Sequence, residues 1–160
     1  MVTPSVFATY PDADALADAA PGDLEALVHS TGFYVAKSRN LMGMARRLAD
    51  NYDGVVPGGM EDLVSLPGVG RKTANVVRSV ALGLPGLPVD THVGRLARRL
   101  DLTQESDPVK VETDLNPMVP AAERGLFSLL LILHGRRVCP SRSPRCEDCV
   151  LNDYCPSSIV

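Results

Sequence analysis

Residues 66–75 carry the sequence LPGVGRKTAN, which joins a short helical pattern to a longer apolar one. Gly68 and Gly70 let the backbone turn tightly and approach another molecule closely, because glycine has no Cβ atom. The amides that open the next helix have no intrahelical acceptor, so they suit a phosphate, and Arg71 and Lys72 add positive charge beside them. An isolated Gly-x-Gly favours a packed corner between two helices, whereas the whole stretch predicts a tight turn between two helices with an anion site.

Helical periodicity continues on both sides of this stretch, and no segment alternates as a half-buried strand would. The predicted helices, which are separated by Gly, Pro and Asp punctuation, span residues 12–19, 23–30, 34–50, 60–66, 71–82, 90–100, 107–115 and 121–134. The sequence therefore predicts an all-α fold. Residues 83–88, GLPGLP, predict a boundary between one domain of residues 1–86 and a second of residues 87–160.

The composition is that of a globular protein, and the charge is unevenly distributed. The 160 residues are 45% hydrophobic and 22% charged, which argues against a disordered or fibrous chain. The formal net charge is -3, yet residues 65–100 hold six Lys and Arg against one acidic residue. The most apolar window, residues 126–133, is too short to span a bilayer, and Met1 opens no secretory signal. We expect a cytoplasmic protein without membrane association.

Residues 89–95, VDTHVGR, place an acid and a histidine at the head of a basic helix. The commonest role of an Asp at such a position is helix capping, and His92 alone is more often an ordinary polar side chain. Lys72 and Asp90 are eighteen positions apart across one helix and the Gly/Pro loop, so they can face each other over a cleft. A neutral lysine amine attacks an electrophilic sugar carbon, and a nearby carboxylate stabilises the developing cation. The pair predicts a nucleophile and its electrostatic support.

All four cysteines fall in the last 22 residues with the spacing C-x6-C-x2-C-x5-C. They are Cys139, Cys146, Cys149 and Cys155. Four thiolates this close in sequence can surround a tetrahedral zinc ion or a cubane iron-sulfur cluster. The unequal gaps favour the iron-sulfur cluster, since a zinc ribbon usually has two C-x2-C pairs, and disulfides are the weakest alternative. Arg142 and Arg145 in the first loop suit contacts with phosphates.

These motifs occur together, in this order, in the endonuclease III family, which the sequence resembles over essentially its whole length. Residues 133–136, LHGR, add to the likeness, and residues 31–37, TGFYVAK, resemble the family's Gly-Leu-Tyr-x-x-Lys loop. The resemblance implies a DNA glycosylase with abasic-site lyase activity that removes oxidised pyrimidines. It also implies a helical barrel with the helix-hairpin-helix element, a small helical domain with a 4Fe-4S cluster, and DNA across the cleft between them.

Site residues follow from the resemblance, residue by residue. Lys72 matches the Schiff-base nucleophile, Asp90 matches the catalytic aspartate, and the four cysteines match the cluster ligands. Phe33 occupies the apolar wedge position that fills the gap left by an everted nucleotide, although a core role is its alternative. Relatives that act only as adenine glycosylases lack the lysine, so Lys72 indicates lyase activity. The implied DNA-binding residues are Phe33, Lys37, Gly68, Val69, Gly70, Arg71, His92, Arg95, Arg142 and Arg145.

Family members carry further residues ahead of the point that matches Met1, including a Ser-x-Gln-x-x-Asp segment whose glutamine probes the DNA gap. The single glutamine here, Gln104, lies elsewhere, so we expect the first domain to lack this N-terminal segment. Two functions of different class follow. One is a monomeric, nucleoid-associated enzyme acting on double-stranded DNA that contains an oxidised pyrimidine or an abasic site. The other is a truncated or degenerate, non-catalytic DNA-binding protein that keeps the hairpin and the iron-sulfur cluster.

Overall fold

Nine α-helices form the structure, a computed structural model that describes residues Met1–Val160. They are α1 (Thr3–Thr9), α2 (Ala13–Ala17), α3 (Pro21–Val28), α4 (Tyr34–Tyr52), α5 (Met60–Ser65), α6 (Arg71–Val76), α7 (Thr91–Arg99), α8 (Pro108–Leu115) and α9 (Arg124–Arg137). A π-helical segment, Val77–Ala81, continues α6. The predicted all-α class is confirmed. No helix combines the length and the apolar character needed to cross a membrane.

Local capping explains where several helices begin. Asp12, Asp90 and Asp107 precede α2, α7 and α8, and each side chain accepts a hydrogen bond from an amide in the first turn. The sequence missed α1, because none of its side chains is fully buried and its residues show no apolar face. Helix α9 begins three residues later than predicted, since residues 121–123 form a 3-10 turn after Pro120.

The first compact unit comprises Met1–Gly70. Helix α4 packs against α2 and α3, and the buried side chains of Ala19, Leu24 and Val28 form a core between them. Arg46 joins α4 to the end of α2 through hydrogen bonds to the Ala17 carbonyl (3.0 Å) and the Asp18 carboxylate (2.7 Å). Helix α5 and the turn that follows it are the last elements of this unit in the sequence.

The second compact unit comprises Arg71–Val160. Its core is formed by residues of α7, α8, α9, the loop before α7 and the loop after α8, namely Leu87, Val89, Val93, Leu96, Ala97, Val111, Leu115, Val119 and Leu131. The boundary predicted after residue 86 lies inside this unit. The reason is that α6 forms side-chain hydrogen bonds with α8 and with the loop before α7, so it belongs with the residues that follow it.

Candidate active site

A pocket in the second unit holds the two side chains predicted to be catalytic. Lys72, in the first turn of α6, and Asp90, directly before α7, both line this pocket, whose volume is about 470 Å³. Arg95 and Arg98 of α7 lie in its wall. The structure therefore brings the amine and the carboxylate to one open space, and their catalytic roles stay a prediction.

The Asp90 carboxylate caps α7 with one of its two oxygens. Asp90 Oδ1 accepts hydrogen bonds from the amides of His92 at 2.8 Å and Val93 at 2.9 Å. Asp90 Oδ2 has no hydrogen-bond partner in the protein. The capping interpretation of the sequence is thus correct, and it leaves the second oxygen free for another charge.

The Lys72 amine has no hydrogen bond or ion pair with another side chain, and its side chain is exposed. Lys72 also lines a second, mainly apolar pocket of about 760 Å³, which it shares with Val80, Leu126 and Leu129. Only two other lysines occur in the chain, Lys37 and Lys110. Lys72 is the only one that lines a pocket with Asp90.

Arg71 differs from the free cation that the sequence suggested. Its Nε and Nη2 donate to the two carboxylate oxygens of Glu112 at 2.8 and 2.9 Å. The hydrogen bond to Glu112 raises the pKa of the Arg71 guanidinium further above its already high value. Arg71 therefore stays charged throughout the neutral range, and most of that charge is paired inside the second unit.

His92 and Arg95 were expected at DNA, and the structure gives both of them internal partners. Arg95 Nη2 donates to the carbonyls of Gly135 at 2.9 Å and Cys139 at 3.0 Å. It also lies 3.1 Å from His92 Nδ1. Because a guanidinium can only donate, Nδ1 is the acceptor and the proton of neutral His92 is assigned to Nε2. These contacts hold α7 to the end of α9. The Nε atom of Arg95 is buried and has no hydrogen-bond partner.

The two glycines of the hairpin, Gly68 and Gly70, differ in backbone conformation and in surroundings. Gly68 adopts φ +77°, and a Cβ atom there would lie 2.9 Å from Cβ of Asn40. The Val69 amide donates to the Leu66 carbonyl at 3.1 Å, so it closes the turn and is not free for an outside acceptor. Gly70 has no atom within 4 Å of its ideal Cβ position. The open side of the hairpin is therefore at Gly70.

Phe33 lies on the surface of the first unit and not in its core. Its side chain is 89% exposed, and its backbone has a left-handed conformation with φ 50°. A bulky residue at positive φ is uncommon and costs free energy. The amine of Lys37, in the first turn of α4, donates to the Thr31 carbonyl at 2.7 Å and so fastens the loop that carries Phe33.

All four cysteines are free thiols, which excludes the disulfide alternative, and all four line a single cavity. Leu96, Leu100 and Val138 supply its apolar wall. Two nitrogen atoms approach the sulfurs: Nη1 of Arg99 donates to Sγ of Cys139 at 3.0 Å, and Nε2 of His134 lies 3.4 Å from Sγ of Cys149. No group of three His, Cys, Asp or Glu side chains is arranged to hold a metal ion. The set of four soft donors around an apolar cavity nevertheless fits an iron-sulfur cluster.

The loop between the first two cysteines presents two unpaired cations. Arg142 and Arg145 are exposed, and neither guanidinium has a hydrogen-bond partner in the protein. Arg99 fixes the base of this loop, since its guanidinium donates to the carbonyls of Pro140 at 2.8 Å and Ser141 at 2.9 Å. The two predicted loop cations are therefore available to an anionic partner.

Comparison with known proteins places this fold in a known class. The family model described as HhH-GPD superfamily base excision DNA repair protein matches residues 1–121. Endonuclease III of Synechocystis sp. is 49% identical over 158 residues, which are 98% of this chain and 72% of that protein. The chain therefore belongs to the endonuclease III family of base excision DNA repair proteins.

Solved structures agree with this assignment. A non-covalent endonuclease III–DNA complex superposes with a TM-score of 0.89 at 37% identity, covering 98% of this chain and 73% of that one. A trapped covalent endonuclease III–DNA intermediate gives 0.89 at 38% identity, covering 98% and 74%. The predicted family, fold and base excision repair function are thereby confirmed.

Sequence reasoning missed three residues that shape the site. Glu112 and Asn75 are both buried and form a hydrogen bond with each other, and Arg99 donates a hydrogen bond to a cysteine sulfur. One signal was present for Glu112: it follows Val111 and precedes Leu115 by three positions, which places an acid at the edge of an apolar helix face. Arg99 carried no such signal, because an arginine in a basic helix is usually solvated.

Proposed function

We propose that the chain is a bifunctional DNA glycosylase and abasic-site lyase in which Lys72 is the nucleophile and Asp90 stabilises the developing positive charge. Its substrate is double-stranded DNA that contains an oxidised pyrimidine or an abasic site. One observation carries the proposal: an unpaired amine and a carboxylate with one free oxygen line the same open pocket. Family membership supplies the reaction class.

The chemistry begins with an everted nucleotide, because a duplex hides the sugar carbon C1′. The neutral Lys72 amine forms a bond to C1′ while the C1′–N bond to the base breaks, and the base leaves with the electron pair and takes a proton. Positive charge grows on the sugar in this step, and the free oxygen of Asp90 is placed to stabilise it. Opening of the sugar ring then gives a Schiff base between C1′ and Lys72.

Strand cleavage follows from the Schiff base. The imine acidifies the proton on C2′, a base removes that proton, and the C3′–O bond breaks with the 3′ phosphate as leaving group. Water hydrolyses the imine and returns the free amine of Lys72. No external oxidant or reductant is needed for this sequence of steps.

Substrate binding in this proposal uses the exposed features of each unit. The backbone amide of the exposed Gly70 donates to a phosphate oxygen, and Arg142 and Arg145 add contacts with further phosphates. The exposed Phe33 enters the gap in the base stack. Such contacts read the shape of DNA and not its sequence.

We further propose that Cys139, Cys146, Cys149 and Cys155 hold a 4Fe-4S cluster, with the side chains of Arg99 and His134 beside their sulfurs. A bound cluster supplies a covalent crosslink of the C-terminal loop, which would fix Arg142 and Arg145 in place. The donor set supports this assignment, since four thiols and an apolar wall surround one cavity. We expect the protein to act as a monomer in the cytoplasm, associated with the nucleoid.

The deciding experiment is reduction of the protein–DNA mixture with borohydride, which converts a Schiff base into a stable amine. Wild type should form a covalent adduct with an abasic duplex, and Lys72→Ala should form none. Lys110→Ala is the matched control, because Lys110 is exposed and makes only a 3.6 Å surface ion pair with Glu105. A folded wild-type protein that yields no adduct would refute the proposed function and leave the non-catalytic alternative.

A further inference from the structure

Glu112 of α8 is the only buried charged side chain in the protein. It is 5% exposed, whereas carboxylates are almost never buried to this extent unless they are paired. It lies outside both pockets that Lys72 lines, and no step of the proposed reaction uses it. Its burial therefore needs another explanation.

The Glu112 carboxylate joins two elements of the second unit that are far apart in sequence. Arg71 donates to both of its oxygens, and Asn75 Nδ2 donates to Oε2 at 2.9 Å. The side-chain oxygen of Asn75 in turn accepts the amide of Leu87 at 3.2 Å. A continuous chain of hydrogen bonds thus runs from α8 through α6 to the loop before α7.

Both ends of this chain of bonds lie next to the reacting side chains. Arg71 directly precedes Lys72, and Leu87 lies three residues before Asp90. One carboxylate therefore holds the backbone that carries the amine and, through Asn75, the backbone that leads to the acid. A misplacement of about 1 Å can cost on the order of 10²-fold in rate, so such a constraint matters for catalysis.

Stability alone does not explain the network. Replacement of a buried ion pair by apolar side chains of similar volume is often neutral or stabilising, because desolvation of the charges offsets their attraction. What apolar side chains cannot supply is direction, since each hydrogen bond here fixes a distance and an angle. The geometry of the network is thus its distinguishing property.

We propose that Glu112 is a positioning residue, which sets the separation of Lys72 and Asp90 through Arg71 and Asn75. This inference rests on the proposed function, since it assigns Lys72 and Asp90 to the reaction. Glu112 itself touches no substrate. Its loss should slow the formation of the Schiff base at saturating DNA and leave the affinity for DNA nearly unchanged.

The test measures two quantities in the full chain: the single-turnover rate of borohydride trapping at saturating abasic duplex, and the Kd for a duplex with a tetrahydrofuran abasic analogue. Glu112→Gln keeps the side-chain shape and an oxygen acceptor but removes the charge that holds Arg71. We expect its trapping rate to fall by about tenfold or more, with the Kd within about twofold of wild type. Glu105→Gln is the matched control, a partly exposed acid with only a 3.6 Å ion pair to Lys110, and should change neither quantity.

A second variant separates positioning from folding. Arg71→Met/Glu112→Met removes both charges, so no unpaired charge is left buried, and only the loss of the acceptor of Asn75 Nδ2 should lower its thermal midpoint, by about 2–10 °C. Its trapping rate should still fall by about tenfold or more, because the directional bonds are gone. If Glu112 were needed only for folding, its loss would instead lower the fraction of active protein. The trapping rate and the measured capacity for DNA binding would then fall together.

The outcomes are distinct. A wild-type trapping rate in folded Glu112→Gln and in the double variant overturns the positioning role while the proposed function stands, because adduct still forms. A larger Kd with an unchanged rate also overturns it. Absence of adduct in wild type is a failure of the proposed function itself, and the inference falls with it.

Discussion

The hairpin offers a paired test of folding and binding, because its two glycines are required for different reasons. In Gly68→Ala, the new Cβ would lie 2.9 Å from Cβ and 3.1 Å from Cγ of Asn40, and the residue would have to adopt φ +77°. A left-handed conformation costs a residue with a Cβ about 1–2 kcal/mol. Overpacking adds about 1–3 kcal/mol. We therefore expect Gly68→Ala to lower the free energy of unfolding by about 2–5 kcal/mol, a large part of a typical total of about 5–15 kcal/mol.

Gly70→Ala is the matched control within the same turn. No atom lies within 4 Å of the ideal Cβ position of Gly70, and its φ is not positive. Alanine should therefore raise stability slightly, by about 0.4–1 kcal/mol, through the entropy of the unfolded chain. The added methyl group would nevertheless occupy the space that we propose for a phosphate. Loss of a hydrogen bond to a charged group is worth about 1.5–3 kcal/mol, so DNA affinity should fall about 10- to 100-fold.

Urea unfolding followed by circular dichroism measures the first effect, and fluorescence anisotropy with an abasic duplex measures the second. We expect opposite patterns: Gly68→Ala is destabilised, and Gly70→Ala is stable but binds DNA weakly. A Gly68→Ala protein within about 0.5 kcal/mol of wild type, the range of ordinary surface substitutions, would refute the packing argument. Undiminished DNA affinity in Gly70→Ala would refute the hairpin contact.

Three further predictions concern separate parts of the protein. Asp90→Asn should keep the thermal midpoint of wild type, because Asn caps a helix as well as Asp does. It should slow single-turnover base excision by about 10²–10³-fold, and excision at the wild-type rate would contradict the electrostatic role of Asp90. Phe33→Ala should change the free energy of unfolding by less than about 0.5 kcal/mol, since Phe33 is 89% exposed. It should slow base excision from duplex DNA more than from single-stranded DNA, and equal effects on the two substrates would argue against a wedge role. Arg142→Gln/Arg145→Gln should reduce the slope of log affinity against log salt concentration by about 1.8, or about 0.9 for each lost phosphate contact, and an unchanged slope would remove this loop from the DNA interface.

Much of the fold was predictable because its signals are local. Eight of the nine α-helices overlap helices predicted from apolar periodicity and punctuation, and the Asp90 cap was recognisable from its position before a helix. The convergence of Lys72 and Asp90 on one pocket also followed from a short separation in sequence. The domain boundary stays a prediction. Prolines and glycines at residues 83–88 mark a loop, but the hydrogen bonds of Asn75 and Glu112 decide which unit α6 joins.

The roles of the arginines could not be predicted, because they depend on long-range partners. The sequence shows positive charge concentrated in residues 65–100, which favours DNA binding as a whole. In the structure, Arg71 pairs with Glu112, while Arg95 and Arg99 donate to backbone carbonyls at the end of α9 and in the first cysteine loop. These partners lie about 40 positions away in sequence. A count of basic residues therefore overstates the number of side chains that can reach phosphate.

The same observation predicts how the salt dependence of DNA binding should be divided. Each phosphate neutralised by a free cation contributes about 0.9 to the slope, whereas a backbone amide releases no counterion. Arg71, whose charge is paired with the Glu112 carboxylate, should contribute little, and the exposed Arg142 and Arg145 should contribute in full. The two loop arginines should thus account for more of the salt dependence than Arg71, although Arg71 directly precedes Lys72. Charge that stabilises the fold and charge that binds DNA are therefore carried by different parts of this unit.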